Sequence, residues 1–500
     1  MMGRSMPGRP LPARHLPDQR SPARHTHPPA YGRRRRLCAL LASAAMLGGC
    51  ASFSPDGGFN TVAQTVQSRI GKDLHWARSD ADLDTIAVRV SALLAQPLSV
   101  DDAVQLALLN NRGLQAGFQE LGITEAELVQ AGRLPNPGFS VGRSTKGDEI
   151  ENERSLHFNL ARLLLMPWTG PVQARRFEQV QGQVAQAVLT LATDTRKAYF
   201  NALAADETAR YMEKVKQAAE AGAELARRMA QVGNFNKLQQ AREQVFYAGA
   251  ALQLAQAQQA QRVARERLAR LLGVWGAQAQ FSLPQRLPDL PAAPQDLPDL
   301  ERVALAQRLD VQGARLAAAQ TARNLGLTRA TRWVNVLELG VARNTSNEAP
   351  VQRGWEVSVE LPLFDWGSAR VARAEAVYMQ AVHRAAETAI NARSEVREAY
   401  TGYRAAYDIA RHHRDEIVPL SQRIAEENLL RYNGMLIGVF ELLADTRTQI
   451  ASVNASILAL RDFWVAQADL DMALIGRPSL AAPATPAGMA AAAEPSGAGH

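Results

Sequence analysis

The chain has 500 residues, 47% hydrophobic but only 6% aromatic, and its two cysteines, Cys38 and Cys50, both fall in the first tenth. That excludes a disulfide framework or a cysteine-based metal site for the rest, and alanine in place of bulky side chains predicts helices that pack closely. The formal charge of +7 invites a nucleic-acid partner. However, residues 1–49 hold nine arginines against one acid, Asp18, and the other 47 basic and 48 acidic residues nearly balance, so no nucleic acid is expected.

At the N-terminus, Arg33–Arg36 form a positive region and Leu37–Met46 an apolar run of ten residues. This is too short for a bilayer-spanning helix, which takes ~20 residues, but it suits a signal peptide. Leu47-Gly48-Gly49-Cys50 resembles the lipobox of bacterial lipoproteins, in which the cysteine is lipidated and becomes the new N-terminus. Residues 1–49 are therefore expected to be a lipoprotein signal peptide, its start assigned too far upstream, and 50–98 a lipidated N-terminal segment. Ala51 and Ser52 after the cysteine resemble the signal for the outer membrane. The acyl chains add ~0.8 kcal/mol per buried methylene.

Residues 99–281 open with Ser99 and Asp102, spaced as a capping box. Two strands follow, with Leu156, Phe158 and Leu160 on one face and His157, Asn159 and Ala161 on the other. A continuous helix is predicted from about Val172 to Val232, ~90 Å long. A proline-rich linker, 282–298, leads to residues 299–476, which repeat the pattern. Leu114-Gln115 falls on Val311-Gln312 at a shift of 197, as do Gly170 on Gly367 and Arg176 on Arg373. At a shift of 201, Tyr199 falls on Tyr400 and Gly233 on Gly434. In the second strand pair Trp355, Val357, Val359 and Leu361 oppose Glu356, Ser358 and Glu360, a pattern that suits a half-buried sheet or a membrane barrel with a wet lumen. The second long helix is predicted from about Ala369 to Tyr432, with Tyr403, Ala410, Ile417 and Ile424 stepping by seven as in a coiled coil. His412 and His413 diverge by ~100° on a helix and read as a solvated face. The tail, 477–500, is low-complexity and expected to be disordered.

The lipobox, the duplicated helix–strand–strand–long-helix unit, the strand exit LPLFDWGSARVARAEA and the turn RYNGMLIGVFELLADTRTQ together resemble the TolC-like outer-membrane efflux proteins, over roughly residues 60–476. The resemblance implies a mainly α fold with a small β part. Four strands per chain would close a twelve-stranded barrel in a homotrimer, continued by a periplasmic α-helical barrel. It implies no enzyme and no cofactor, but a passive exit duct in contact with outer-membrane lipid. Its partners would be a periplasmic adaptor and an inner-membrane pump of the resistance-nodulation type, and its cargo heavy metal, copper or drugs. A type I protein-secretion outlet and a lipid-anchored coiled-coil scaffold are the alternatives.

Turns at Gly233 and Gly434 would form the periplasmic tip, glycine suiting a helix end that needs φ > 0. Glu441 and Asp445 lie four apart, so three copies would ring the tunnel with carboxylates, unless they face solvent or pair with Arg447. The gate aspartates of the family's drug-efflux members would fall on Phe440 and Leu443, which are apolar here.

Overall fold

The computed structural model describes residues 51–333, 336–360 and 363–478, without the side chains of 439–441 and 443–446. Four helices lead in: α1 (Phe59–Ile70), α2 (Asp80–Leu94), α3 (Val100–Asn110) and α4 (Arg112–Ala131). Ser99 and Asp102 do form the capping box that starts α3, and Ser79 and Asp82 form another at α2. Strands β1 (Gly138–Lys146) and β2 (Glu149–Asn159) make a hairpin, followed by α5 (Leu160–Gln231) and α6 (Lys237–Leu272). The second copy runs α7 (Leu300–Gln307), α8 (Leu309–Thr331), β3 (Leu337–Ser346), β4 (Gln352–Val359), α9 (Ser368–His412), α10 (Val418–Asn433) and α11 (Val439–Ile475).

The first long helix starts earlier than its sequence pattern predicts. The Asn159 side chain accepts a hydrogen bond from the Arg162 amide at 2.8 Å, so β2 stops there and Leu160 and Ala161 are helical rather than extended. α5 then continues through Pro167 and Pro171 for 72 residues, about 108 Å of helix. In the second copy the helix begins only at Ser368, after Gly367 at φ 72°, a position where a Cβ would lie 2.8 Å from the Arg332 carbonyl oxygen. Gly170 sits inside a helix, so its pairing with Gly367 in sequence is not a structural equivalence.

The second long helix is interrupted. Pro419 cannot donate to the carbonyl of Asp415, and the turn over His413–Ile417 widens to π geometry, with the Val418 amide bonded to His413. One extra residue in a turn rotates everything beyond it by about 100°. Val396, Tyr403, Tyr407 and Ala410 before the break are buried as the seven-residue ladder requires, whereas Ile424 beyond it is 52% exposed in the single chain. His413 is half-buried in this turn rather than on a solvated face, while His412 is exposed and faces Glu416 at 3.3 Å.

Apolar clusters hold the helices together. Val62, Val104, Phe118 and Leu121 pack on Val184 and Val188 of α5. Leu106, Leu109, Tyr199, Leu203 and Leu268 join α3, α5 and α6. Tyr403, Tyr407 and Phe463 join α9 to α11 and take in Leu290 of the linker. The linker is fastened there, because the Tyr407 hydroxyl lies 2.9 Å from the Ala292 carbonyl and Trp464 donates to Pro288 at 3.0 Å.

The junction between the two helices that open each copy shows the duplication in detail. Asn111 separates α3 from α4, and its side chain accepts from the Leu114 amide at 3.0 Å. At the same place, 197 residues on, stands Arg308, only 1% exposed. Its guanidinium reaches Asp310 at 2.7 and 3.0 Å and Glu395 of α9 at 2.6 Å. Burial alone would lower the Arg308 pKa, but the hydrogen bonds and charges of Asp310 and Glu395 outweigh it and hold the group above its ordinary value.

Candidate functional site: a two-faced sheet and a helical tip

The four strands form one antiparallel sheet in the order β1-β2-β3-β4. Three of them are nine to eleven residues long, the range in which a tilted strand crosses a bilayer, and β4 has eight. Because side chains alternate and pair directly across antiparallel strands, the register sorts them into rows. One face carries the apolar rows Leu337–Val359, Phe158–Leu339–Val357 and Phe139–Leu156–Val341–Trp355. The other carries Glu149, Glu151, Glu153, Glu338 and Glu356 with serines, glycines and asparagines between them.

The polar face is the more enclosed one, since Ser155 and Gly340 are buried on it. The Ser155 hydroxyl lies 2.7 Å from His157 Nε2, Asn344 donates to Glu151 at 3.2 Å, and Ser346 donates to Glu149 at 3.2 Å. Glu153, Glu338 and Glu356 have no counter-ion among the described residues. Every acid within the four strands lies on this side. Both edge strands, β1 and β4, are exposed along their whole length and have no neighbour on one side in the single chain.

At the far end of the long helices two turns reverse the chain. In the first, Gly233 takes φ 82°, Asn234 donates back to Met229 at 2.9 Å, and Asn236 with Gln239 forms the capping box of α6. In the second, Gly434 does not take the left-handed conformation expected of it: its φ is −79°, and Met435 takes φ 59° instead. Leu436 donates to Arg431 at 2.8 Å, so Met435 matches Gly233 and the shift at the tip is 202, not 201. The motif needs its left-handed residue one place after the last helical turn, and the glycine stands one place too early.

Cys50 and the side chains of Glu441 and Asp445 lie outside the described residues, as do those of Phe440 and Leu443. Arg447 extends to α6, where it lies 3.3 Å from Glu243 and 4.3 Å over the Phe246 ring. The contact joins residues a few turns into α6 and α11, so the two turns lie at one end. The Glu243 side chain is 2% exposed and its Oε2 has no hydrogen bond. Nothing in the local sequence distinguishes this buried acid from the exposed polar residues beside it. Among the described residues no group of three or more His, Cys, Asp or Glu could hold a metal ion, and no helix is long and apolar enough to cross a membrane.

No protein-family model matches the sequence. The cobalt-zinc-cadmium resistance protein CzcC of Cupriavidus metallidurans is 27% identical over 288 residues, which cover 54% of this chain and 64% of that protein. The match thus spans a little under two thirds of that relative's length. Among solved structures, CusC superposes with a TM-score of 0.62 at 18% identity over 76% of this chain and 92% of its own. The CmeC outer-membrane channel of Campylobacter jejuni superposes with a TM-score of 0.66 at 18% identity over 75% and 85%. The chain has the fold of the TolC-like outer-membrane channels: mainly helical, with a small antiparallel sheet at one end of the long helices.

Proposed function

We propose that this protein is the outer-membrane exit duct of a tripartite efflux system, working as a homotrimer. The observation that carries the reading is the sheet. Four strands of about membrane-crossing length, apolar on one face and acidic on the other, end in two unpaired edges and run on into helices of about 100 Å. Hydrocarbon does not tolerate open edges, and three copies joined β4 to β1 remove them, with the acidic faces lining a lumen. An adaptor and an inner-membrane pump of the resistance-nodulation type are the partners this reading requires, since a passive wall supplies no energy.

For the cargo we favour divalent metal cations. A lumen carrying five glutamates per chain attracts cations, and the similarity to CzcC points the same way. At the tip, Gly233 and Gly434 belong to the turns that would meet the adaptor, and the Arg447–Glu243 contact fastens α11 to α6 just behind them. A ring of Glu441 and Asp445 around the threefold axis would then be the constriction.

Lipidation of Cys50 belongs to the same reading. Its neighbour Ala51 lies against Gly132 at the end of α4, just before β1, and Ser54 donates to Glu125 of α4 at 2.6 Å. Cys50→Ala is expected to lower the amount of trimer in the outer membrane while leaving assembled ducts open. Normal trimer with lost efflux would contradict this.

The decisive experiment crosslinks the detergent-extracted protein and profiles a deletion strain. A crosslinked trimer and hypersensitivity to cobalt, zinc or cadmium are expected. A monomer, or a strain indifferent to metals, dyes and antibiotics alike, refutes the reading.

A further inference from the structure

The outward face of the sheet is not apolar throughout. Directly beyond the Phe139–Leu156–Val341–Trp355 row, on the side of the hairpin turns, comes the row Val141–Arg154–Arg343–Arg353. Three arginines thus stand side by side on three adjacent strands, in direct register. All three are exposed, and none has an ion pair or hydrogen bond among the described residues. Arg143 follows one row farther out on β1.

Neighbouring strands are ~4.8 Å apart, and like charges directly opposite one another destabilise a sheet. No acid on this face offsets them, because all the strand glutamates point to the other side. A second copy does not supply one either. If β4 pairs with β1 of the next protomer, the outer residues that arrive are Phe139, Val141, Arg143 and Thr145. Neither the strands nor this seam supplies a counter-charge to the row.

We propose that this row binds the phosphate groups of outer-leaflet lipid. The inference rests on the reading that the sheet spans the outer membrane. The long helices leave from one end of the sheet and the hairpins lie at the other, so the arginines bound the apolar rows on the side that this reading gives to the outer leaflet. Trp355, 77% exposed in the row just below, marks the same boundary, as aromatic residues do at membrane interfaces. Arginine is costly at the bilayer midplane and much less so near the interface. Its planar fork pairs with phosphate oxygens bidentately. Three forks in one row make a clustered site for anionic headgroups on each protomer, set apart from the next by Val141 of β1, rather than scattered contacts.

The test uses the full-length protein in phosphatidylcholine nanodiscs with or without phosphatidic acid, which bears a phosphomonoester. Its readouts are the melting temperature of the trimer and the lipid retained on it by native mass spectrometry. Wild type should melt higher with phosphatidic acid and retain it, and inorganic phosphate alone should give no such gain. The triple variant Arg154→Gln, Arg343→Gln, Arg353→Gln should lose at least about tenfold in retention, and the triple lysine variant should fall between. Equal retention by wild type and the glutamine variant, with both trimeric and conducting, overturns the lipid site and leaves the duct reading intact. Should the glutamine variant fail to assemble, wild type decides alone, and no difference between the two nanodiscs overturns the proposal. Protection by inorganic phosphate equal to that of the lipid also overturns it. Wild type absent from the outer-membrane fraction overturns the duct reading, and this inference with it.

Discussion

Replacing Arg308 with methionine tests how the opening helices of the second copy are held to its long helix α9. Methionine nearly conserves the length of the side chain but removes a guanidinium that makes three hydrogen bonds to Asp310 and Glu395, at 3.0, 2.7 and 2.6 Å, at a site 1% exposed. The two carboxylates left behind have side chains only 17% and 13% exposed, so water cannot fully take over. Breaking a buried ion pair by removing one partner costs about 3–5 kcal/mol, a large part of the ~5–15 kcal/mol by which domains are stable. Thermal unfolding of the detergent-extracted protein should therefore show a clear drop in melting temperature. Arg308→Lys, which keeps the charge but not the fork, should lie between. Adding Asp310→Asn and Glu395→Gln to Arg308→Met should recover part of the loss by removing the stranded charges. If Arg308→Met melts with wild type, the cluster does not hold α9 in place.

Tyr199 donates to the Leu98 carbonyl at 2.9 Å, and burial first, then the nearby Asp102, pushes its hydroxyl up to about 12. A raised acid favours the neutral form in the fold, so its contribution is complete below pH 10 and is lost as the pH rises toward 12. Tyr199→Phe should flatten that alkaline limb in a pH series of melts, at a cost of about 1–3 kcal/mol at neutral pH. At the tip, Met435→Gly relieves a left-handed residue that is 93% exposed and should stabilise by up to about 1 kcal/mol. Gly233→Ala should destabilise by about as much, and a shift of the same sign in both variants would contradict the assigned turn. Arg447→Ala strands the Glu243 carboxylate and should cost about 1–3 kcal/mol while raising conductance in planar bilayers. In the same assay, changing Glu149, Glu151 and Glu153 to glutamine should shift the reversal potential toward anions under a salt gradient. An unchanged potential would mean that these residues do not line the path.

Much of the architecture is legible locally. The duplicated pattern, the long helices and the two-faced strands all follow from short-range periodicity, because a side chain's direction repeats every two residues in a strand and every 3.6 in a helix. Ser99 and Asp102 announce the start of α3 for the same reason, since both partners of the cap lie within one turn. The lipobox-like Leu47–Cys50 is equally local, and so is the charge asymmetry that sets residues 1–49 apart from the rest of the chain.

What depends on separated segments could be decided only by the fold. Arg308 and Glu243 look like exposed polar residues until Glu395 and Arg447, both distant in the chain, are brought against them. The exchange of Gly434 for Met435 in the left-handed position follows from where α10 ends, and Ile424 leaves the inward ladder because the π turn before Pro419 rotates the helix beyond it. The arginine row is the clearest instance. Arg154 and Arg343 are 189 residues apart, and only the β2–β3 register sets them side by side. Sequence alone determined which face of each strand is apolar. Pairing across the chain decided which charges meet on that face, because strand register is a long-range property and a slip of one residue would reverse it.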